Sequence, residues 1–122
     1  MKYKLWNKCK KKFEEKGWVV NPEGEVLWIE YGEIVCGSNM KNYALLENTK
    51  IKDITGKEIF EGDIVETTRA LNHIVGVVTM IKGCWYIQDG KDSYYRLKPR
   101  YGTCVNKVIG NVYENKELLE VE

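Results

Sequence analysis

The residues of this 122-residue chain best suited to chemistry cluster late in the sequence. Tyr94, Tyr95, Arg96, Leu97, Lys98, Pro99, Arg100 and Tyr101 interleave three tyrosines with three cations. Aromatic faces beside cations make stacking platforms for nucleotides or single strands, since every base has a π-face and every phosphate a charge. Trp85 and Tyr86, a few residues earlier, extend that surface. If 93–97 forms a strand, neighbours point to opposite sides, so Tyr95 and Leu97 share one face and Tyr94 and Arg96 the other. The expected exposed set is Tyr94, Arg96 and Lys98, and the full candidate binding set adds Trp85, Arg100 and Tyr101. A merely solvated basic strand is the simpler reading of the same residues.

Other chemistries find less support. His73 is the sole histidine, and no G-x-S-x-G setting exists, so a hydrolase would need His73 to meet Ser93 or Cys84 across the fold. Glu58, Glu61 and Asp63 are the densest carboxylates for acid–base work or Mg²⁺, yet they read better as a solvated acidic turn. Neither glycine-rich phosphate loop occurs. Cys9, Cys36, Cys84 and Cys104 stand singly, without C-x-x-C spacing, and read as reduced, mostly buried thiols. No catalytic residue, metal or cofactor is expected, and the chain reads as a non-enzyme.

Charge sharpens the reading. Nineteen bases against eighteen acids give +1 overall, which excludes a bulk polycation. By segment the balance is +5 over 1–16, −6 over 17–66, +1 over 67–81, +4 over 82–113 and −3 over 114–122, so local patches of both signs are expected. The first patch holds Lys8, Lys10, Lys11 and Lys12, able to face phosphate or an acidic partner, although such a run is more simply a solvated loop. No signal peptide or bilayer-length apolar run is present, so a cytoplasmic setting without membrane contact is expected.

The elements that must position these residues are short strands. The stretch 17–20, the Asn21-Pro22-Glu23-Gly24 link and 25–31 read as strand, turn, strand, with 34–36 as a third strand. Tyr43 to Leu46 does not decide between strand and helical turn. Further strands are expected at 64–68, 74–81, 84–87 and 93–97, with turns at Lys82-Gly83 and Asp89-Gly90. Gly76 suits a bulge or a bend of a curved sheet. The last long strand, 105–113, carries apolar residues on both faces and is placed centrally. Residues 116–119 suit one helical turn. Trp6, Trp18 and Trp28 read as core or hairpin-packing residues, and their number also suits a homo-oligomer interface. The expected fold is mainly β: a small, strongly bent SH3-like β-barrel with an N-terminal β-hairpin extension and at most short helices. It forms one domain over 1–122, with the hairpin region 1–50 packed on the barrel region 51–122.

Two stretches carry a family resemblance. Lys52-Asp53-Ile54-Thr55-Gly56-Lys57-Glu58-Ile59-Phe60-Glu61-Gly62-Asp63-Ile64-Val65 resembles the KDKNGKEIYEGDIV signature of the YopX family of bacteriophage and prophage proteins. Lys107-Val108-Ile109-Gly110-Asn111-Val112-Tyr113-Glu114-Asn115, closing in Glu117-Leu118-Leu119, is similar to its VIGNIYENPELL. Tyr3 to Lys8 matches the family's opening more loosely. The usual threonine-glycine-leucine stands here as Thr49-Lys50-Ile51, so no positive φ is expected at Lys50, and Lys116 replaces the usual proline. The resemblance implies a phage or prophage origin, a largely β fold and the cytoplasm of an infected bacterium. It brings no catalytic residues to carry over. Within the signature, Gly56 and Gly62 suit tight turns, Asp63 suits a turn cap, and folding alone accounts for the motif.

The expected function is that of a non-enzymatic accessory protein binding a host or phage macromolecule. Two alternatives stay open: a nucleotide or small-molecule binder that sequesters a defence signal, and a single-stranded nucleic-acid binder using 94–101.

Overall fold

The computed structural model describes residues 2–30, 33–37, 40–69, 72–99 and 105–119, and its regular elements are almost all strands. The chain divides into two compact units, Lys4–Leu45 and 46–122 together with 1–3.

In the first unit, β1 (Tyr3–Asn7) and β2 (Lys12–Glu14) form a hairpin in register Leu5–Glu14, Trp6–Phe13 and Asn7–Lys12. Asn7 organises its turn. The side-chain oxygen accepts the N–H groups of Cys9 and Lys10 at 3.0 Å, and its amide donates to Glu14 at 2.9 Å. Trp6 meets Phe13 edge-on, with ring centroids 4.8 Å apart. β3 (Trp18–Val20), β4 (Val26–Glu30) and β5 (Glu33–Gly37) follow as an antiparallel sheet, with Trp18 opposite Trp28. Asn21 closes the β3–β4 turn, accepting the Glu25 N–H at 2.8 Å. Trp18 donates to the Glu14 carbonyl, and Trp28 packs against Tyr43, so the tryptophans pack hairpins. Cys9 is exposed at the β1–β2 turn, against the expectation of mostly buried thiols, because the turn raises it off the sheet; Cys84 is half-buried. The side chains of Cys36 and Cys104 lie outside the described set.

A short 3₁₀ turn, Met40–Asn42, leads into β6 (Tyr43–Lys52), so the undecided stretch at Tyr43 is a strand. β6 runs on into the second unit and pairs there with β7 (Glu58–Phe60). The main sheet of that unit has the order β11-β10-β9-β8-β12, from β8 (Asp63–Arg69), β9 (Asn72–Ile81), β10 (Cys84–Asp89), β11 (Ser93–Arg96) and β12 (Val105–Asn111). It curls into a half-barrel, as the mainly β expectation requires, and a 3₁₀ turn, Lys116–Leu119, closes the described chain. One face of the sheet buries Val65, Ile74, Val78, Ile87 and Leu97 with Ile59, and Ile51, Trp85, Tyr95 and Val108 pack around them. At about 25 cal/mol per Å² of apolar surface, each buried aliphatic side chain contributes roughly 1.5–3 kcal/mol.

Two local expectations change, and the alternative left at Gly76 narrows to the bend. β12 is an edge strand, not a central one: a bulge between Val108 and Gly110 shifts the register, and this irregularity accounts for apolar residues on both faces. Gly76 marks no bulge, since Val65 pairs with Gly76 in regular register. A side chain there would strike the Gln88 carbonyl, so glycine lets β9 and β10 approach where the sheet bends. Lys50 does take a positive φ, +66°, at the β6–β7 irregularity, where the Asn48 side chain accepts its N–H at 2.7 Å.

Candidate functional site

The half-barrel presents its core on one side and a second face on the other. Register assigns residues to that outer face directly. Val77, Gln88 and Tyr94 make one row across β9, β10 and β11, and Thr79, Tyr86 and Arg96 make the next. Along β11 exposure alternates, with Tyr94 and Arg96 exposed and Tyr95 partly buried; beyond the strand Leu97 is buried and Lys98 exposed. Tyr94, 46% exposed, is pinned at the β10–β11 turn by its hydroxyl donating to the Lys91 carbonyl at 3.3 Å. Lys98 is held from behind. Its carbonyl accepts from the Asn106 amide at 2.6 Å, while Thr67 donates to the Asn106 side-chain oxygen at 2.8 Å. Asn106 is 2% exposed and Thr67 fully buried, so this polar link costs little to desolvate only because each group is paired.

The structure therefore brings Tyr94 and Arg96 to one face, leaves Lys98 exposed just past the strand, and sets Trp85 on the other face, where it packs against the core near Tyr95. Tyr86, opposite Arg96, supplies the aromatic ring that β10 gives to the outer face. Arg100 and Tyr101 lie outside the described residues.

Beside this row lies a groove of about 570 Å³, lined by His73, Val75, Val77, Gln88, Asp89, Gly90, Leu118 and Leu119. Such a volume lies within the usual range for small-molecule sites. Gln88 belongs to both features, lining the groove and standing opposite Tyr94. Sequence reasoning missed this groove. Its one signal was Gln88, a polar residue that follows the buried Ile87 in a strand opening Cys84-Trp85-Tyr86.

Groups weighed for catalysis are occupied or apart. His73 Nε2 lies 3.0 Å from a Glu66 carboxylate oxygen, with both side chains substantially exposed. Cys84 pairs with Ile81, eight residues along β9 from His73, a span of about 26 Å at strand rise. Asp63 accepts the Phe60 N–H at 2.8 Å, the turn cap expected of it, and Glu58 accepts from the Asn48 amide. Glu61 and burial together act on Tyr113: burial first, then the nearby carboxylate, push its phenol above the usual range. Among the described residues no cluster of His, Cys, Asp or Glu suits a metal ion, and no helix is long and apolar enough to cross a membrane.

Asp53 uses both of its carboxylate oxygens as acceptors. One oxygen accepts from the Thr55 N–H, the Thr55 hydroxyl and the Lys57 N–H, and the other accepts the Val108 N–H at 3.0 Å. Burial pulls its pKa up. The hydrogen bonds from the Thr55 hydroxyl and from the Val108, Lys57 and Thr55 N–H groups outweigh that and hold it below the ordinary value. It clasps the turn before β7 to β12, at the far side of the sheet from β11.

Curled sheet and outer face together define a small mainly β domain whose open surface mixes tyrosines, cations and an amide. The chain belongs to the YopX family, whose model, described as YopX protein, matches residues 2–120. It is similar in structure to protein yopX from Bacillus subtilis, with 23% identity, a TM-score of 0.66 and 98% of each chain covered. It is also similar to protein EF1440 from Enterococcus faecalis, with 21% identity, a TM-score of 0.60, and 97% of this chain and 96% of that one covered. These likenesses establish the fold. No curated protein matches the chain in sequence.

Proposed function

We propose that the protein acts by binding rather than catalysis, as an accessory protein that engages a host or phage macromolecule in the cytoplasm of an infected bacterium. Its surface is the outer face of β10 and β11, and single-stranded nucleic acid is the macromolecule that face fits best. The observation that carries the reading is the pairing of Tyr86 with Arg96 and of Gln88 with Tyr94 across two adjacent strands, with Lys98 beyond. Aromatic rings on the open face of a sheet stack bases without regard to sequence, and flanking cations follow the phosphates. Each stacked base is worth about 1–3 kcal/mol by alanine substitution. Titration of a labelled single-stranded oligonucleotide, followed by anisotropy, tests the reading. Tyr94→Ala and Arg96→Ala each weaken binding, by about tenfold for one stacked base, while melting temperature stays put. Unchanged, parental affinity in both variants would reject it.

The groove beside Gln88 favours a second reading, a nucleotide or similar small molecule seated between Val75, Val77 and the Leu118-Leu119 turn. A melting temperature that rises with concentration of one nucleotide, by mass action on the folded state, would support it. A flat response across nucleotides would remove it.

A further inference from the structure

The β1–β2 hairpin of the other unit carries a charge arrangement that the outer-face reading leaves unused. Between Asn7 and its strand partner Lys12 the connecting turn is Lys8-Cys9-Lys10-Lys11, so four lysines stand within five residues and no acid interrupts them. All five of these residues are exposed. The turn is nonetheless fixed in shape. Asn7 accepts the Cys9 and Lys10 N–H groups at 3.0 Å, and Lys8 donates its N–H to the Asn42 carbonyl at 2.8 Å.

Lys11 shares a left-handed backbone with Lys50 (φ +66°) and Lys82 (φ +49°), and differs from them in standing within the run of four lysines. It closes the turn at φ +53°, a left-handed conformation that glycine adopts without steric cost. A lysine there carries backbone strain and sits among like charges, two costs that glycine would relieve.

We propose that this hairpin turn is a phosphate-backbone contact, holding Lys8, Lys10, Lys11 and Lys12 against a nucleic-acid strand. The turn's own composition favours that partner over an acidic protein. Protein interfaces are built around buried aromatic or aliphatic anchors and are depleted in lysine, and the turn 8–11 contains no such anchor. Ammonium groups act as hydrated point charges that suit a row of phosphates, whose release of counterions drives binding without directional contacts. The inference deepens the nucleic-acid reading of the outer face and rests on it for the partner, but it names a separate site in a separate unit.

The test is the salt dependence of oligonucleotide binding by the full chain. For a single strand, each neutralised phosphate contributes about 0.7 to the slope of log K against log salt. The variant Lys10→Gln/Lys11→Gly/Lys12→Gln should therefore bind with a slope shallower by about 2, and with weaker affinity at about 50 mM salt. Lys10→Arg/Lys11→Arg/Lys12→Arg should keep the parental slope, which separates charge from turn structure. Lys11→Gly alone should lose about 0.7 of slope without losing thermal stability, since glycine suits the turn. An unchanged slope in the triple glutamine–glycine variant would overturn the proposal, as would binding to poly-glutamate in place of oligonucleotide. The two readings fail differently. A shallower slope in the hairpin variant with no effect of Tyr94→Ala or Arg96→Ala keeps the hairpin site and removes the outer face. The reverse pattern removes the hairpin site and keeps the face.

Discussion

At the residue scale, short polar side chains do much of the folding work that an apolar count overlooks. Asn7, Asn21, Asn48 and Asn111 each use a side-chain oxygen to accept a backbone N–H two to four residues onward, and each thereby fixes a turn. Asp53 is the same device with charge and with a long-range partner. Because its folded pKa is depressed, the stability it contributes is fully present above the ordinary carboxylate value of 3.8 and is lost as pH falls through the lower folded value. Asp53→Asn keeps acceptor oxygen for the Thr55 turn but meets the Val108 N–H with an amide. It should cost about 1–3 kcal/mol at neutral pH and flatten the decline of stability in acid, as measured by urea unfolding from neutrality to about pH 3. An undiminished acid dependence in the variant would show that other groups set it. Lys50 makes the opposite case. With φ at +66° it is strained where the family signature carries glycine, so Lys50→Gly should hold or raise the melting temperature, by up to about 1 kcal/mol of stability.

At the element scale, β11 decides the account. Four residues long and at the sheet edge, it sorts Tyr95 to the core and Tyr94 to the open face. Tyr95→Ala should destabilise by about 2–4 kcal/mol, since it empties part of the packing around Ile87 and Leu97. Tyr94→Ala should change stability by only about 0.5 kcal/mol, and denaturant midpoints of the two variants compare them directly. The bend that shapes this face depends on Gly76, whose replacement by alanine would drive a methyl into the Gln88 carbonyl. Gly76→Ala should cost about 1–3 kcal/mol or prevent folding, and circular dichroism with thermal melting reads either result. Much of this element order was legible in the sequence. Alternation in 93–97 and the Asp89-Gly90 turn place Tyr94 and Arg96 outward without any coordinates. The position of Trp85 was not legible, because its face depends on the β10 register, which is set by where the Lys82-Gly83 turn pairs Ile81 with Cys84. Nor was the edge position of β12, since a bulge mixes its faces and mimics a central strand.

At the scale of the whole molecule, a near-neutral total charge conceals a basic region in each unit: the turn 8–12, and Arg96 on the curled sheet with Lys98 just past its edge strand. The family signature, by contrast, proves architectural. Asp53, Gly62 and Asp63 all serve turns and strand clasps, and Gly62, at φ +85°, would press a side chain against the Tyr113 ring. That division explains why motif matching led to the family and fold but not to an activity: the recognisable residues hold the sheet, and the open face lies between the two motifs. The groove by Leu118 was hidden for a further reason, since its walls come from the β9–β10 hairpin and from the final turn, which follows some thirty residues later in sequence. The central claim is that the outer face of β10–β11 is the binding surface. Backbone amide shift mapping during titration with a single-stranded oligonucleotide tests it most directly. Perturbations should appear at Tyr86, Gln88, Tyr94, Arg96 and Lys98 and saturate together, with Val78, Ile87 and Val65 on the core side little affected. Saturable binding that leaves those five residues unperturbed, or no binding at low salt, would contradict it.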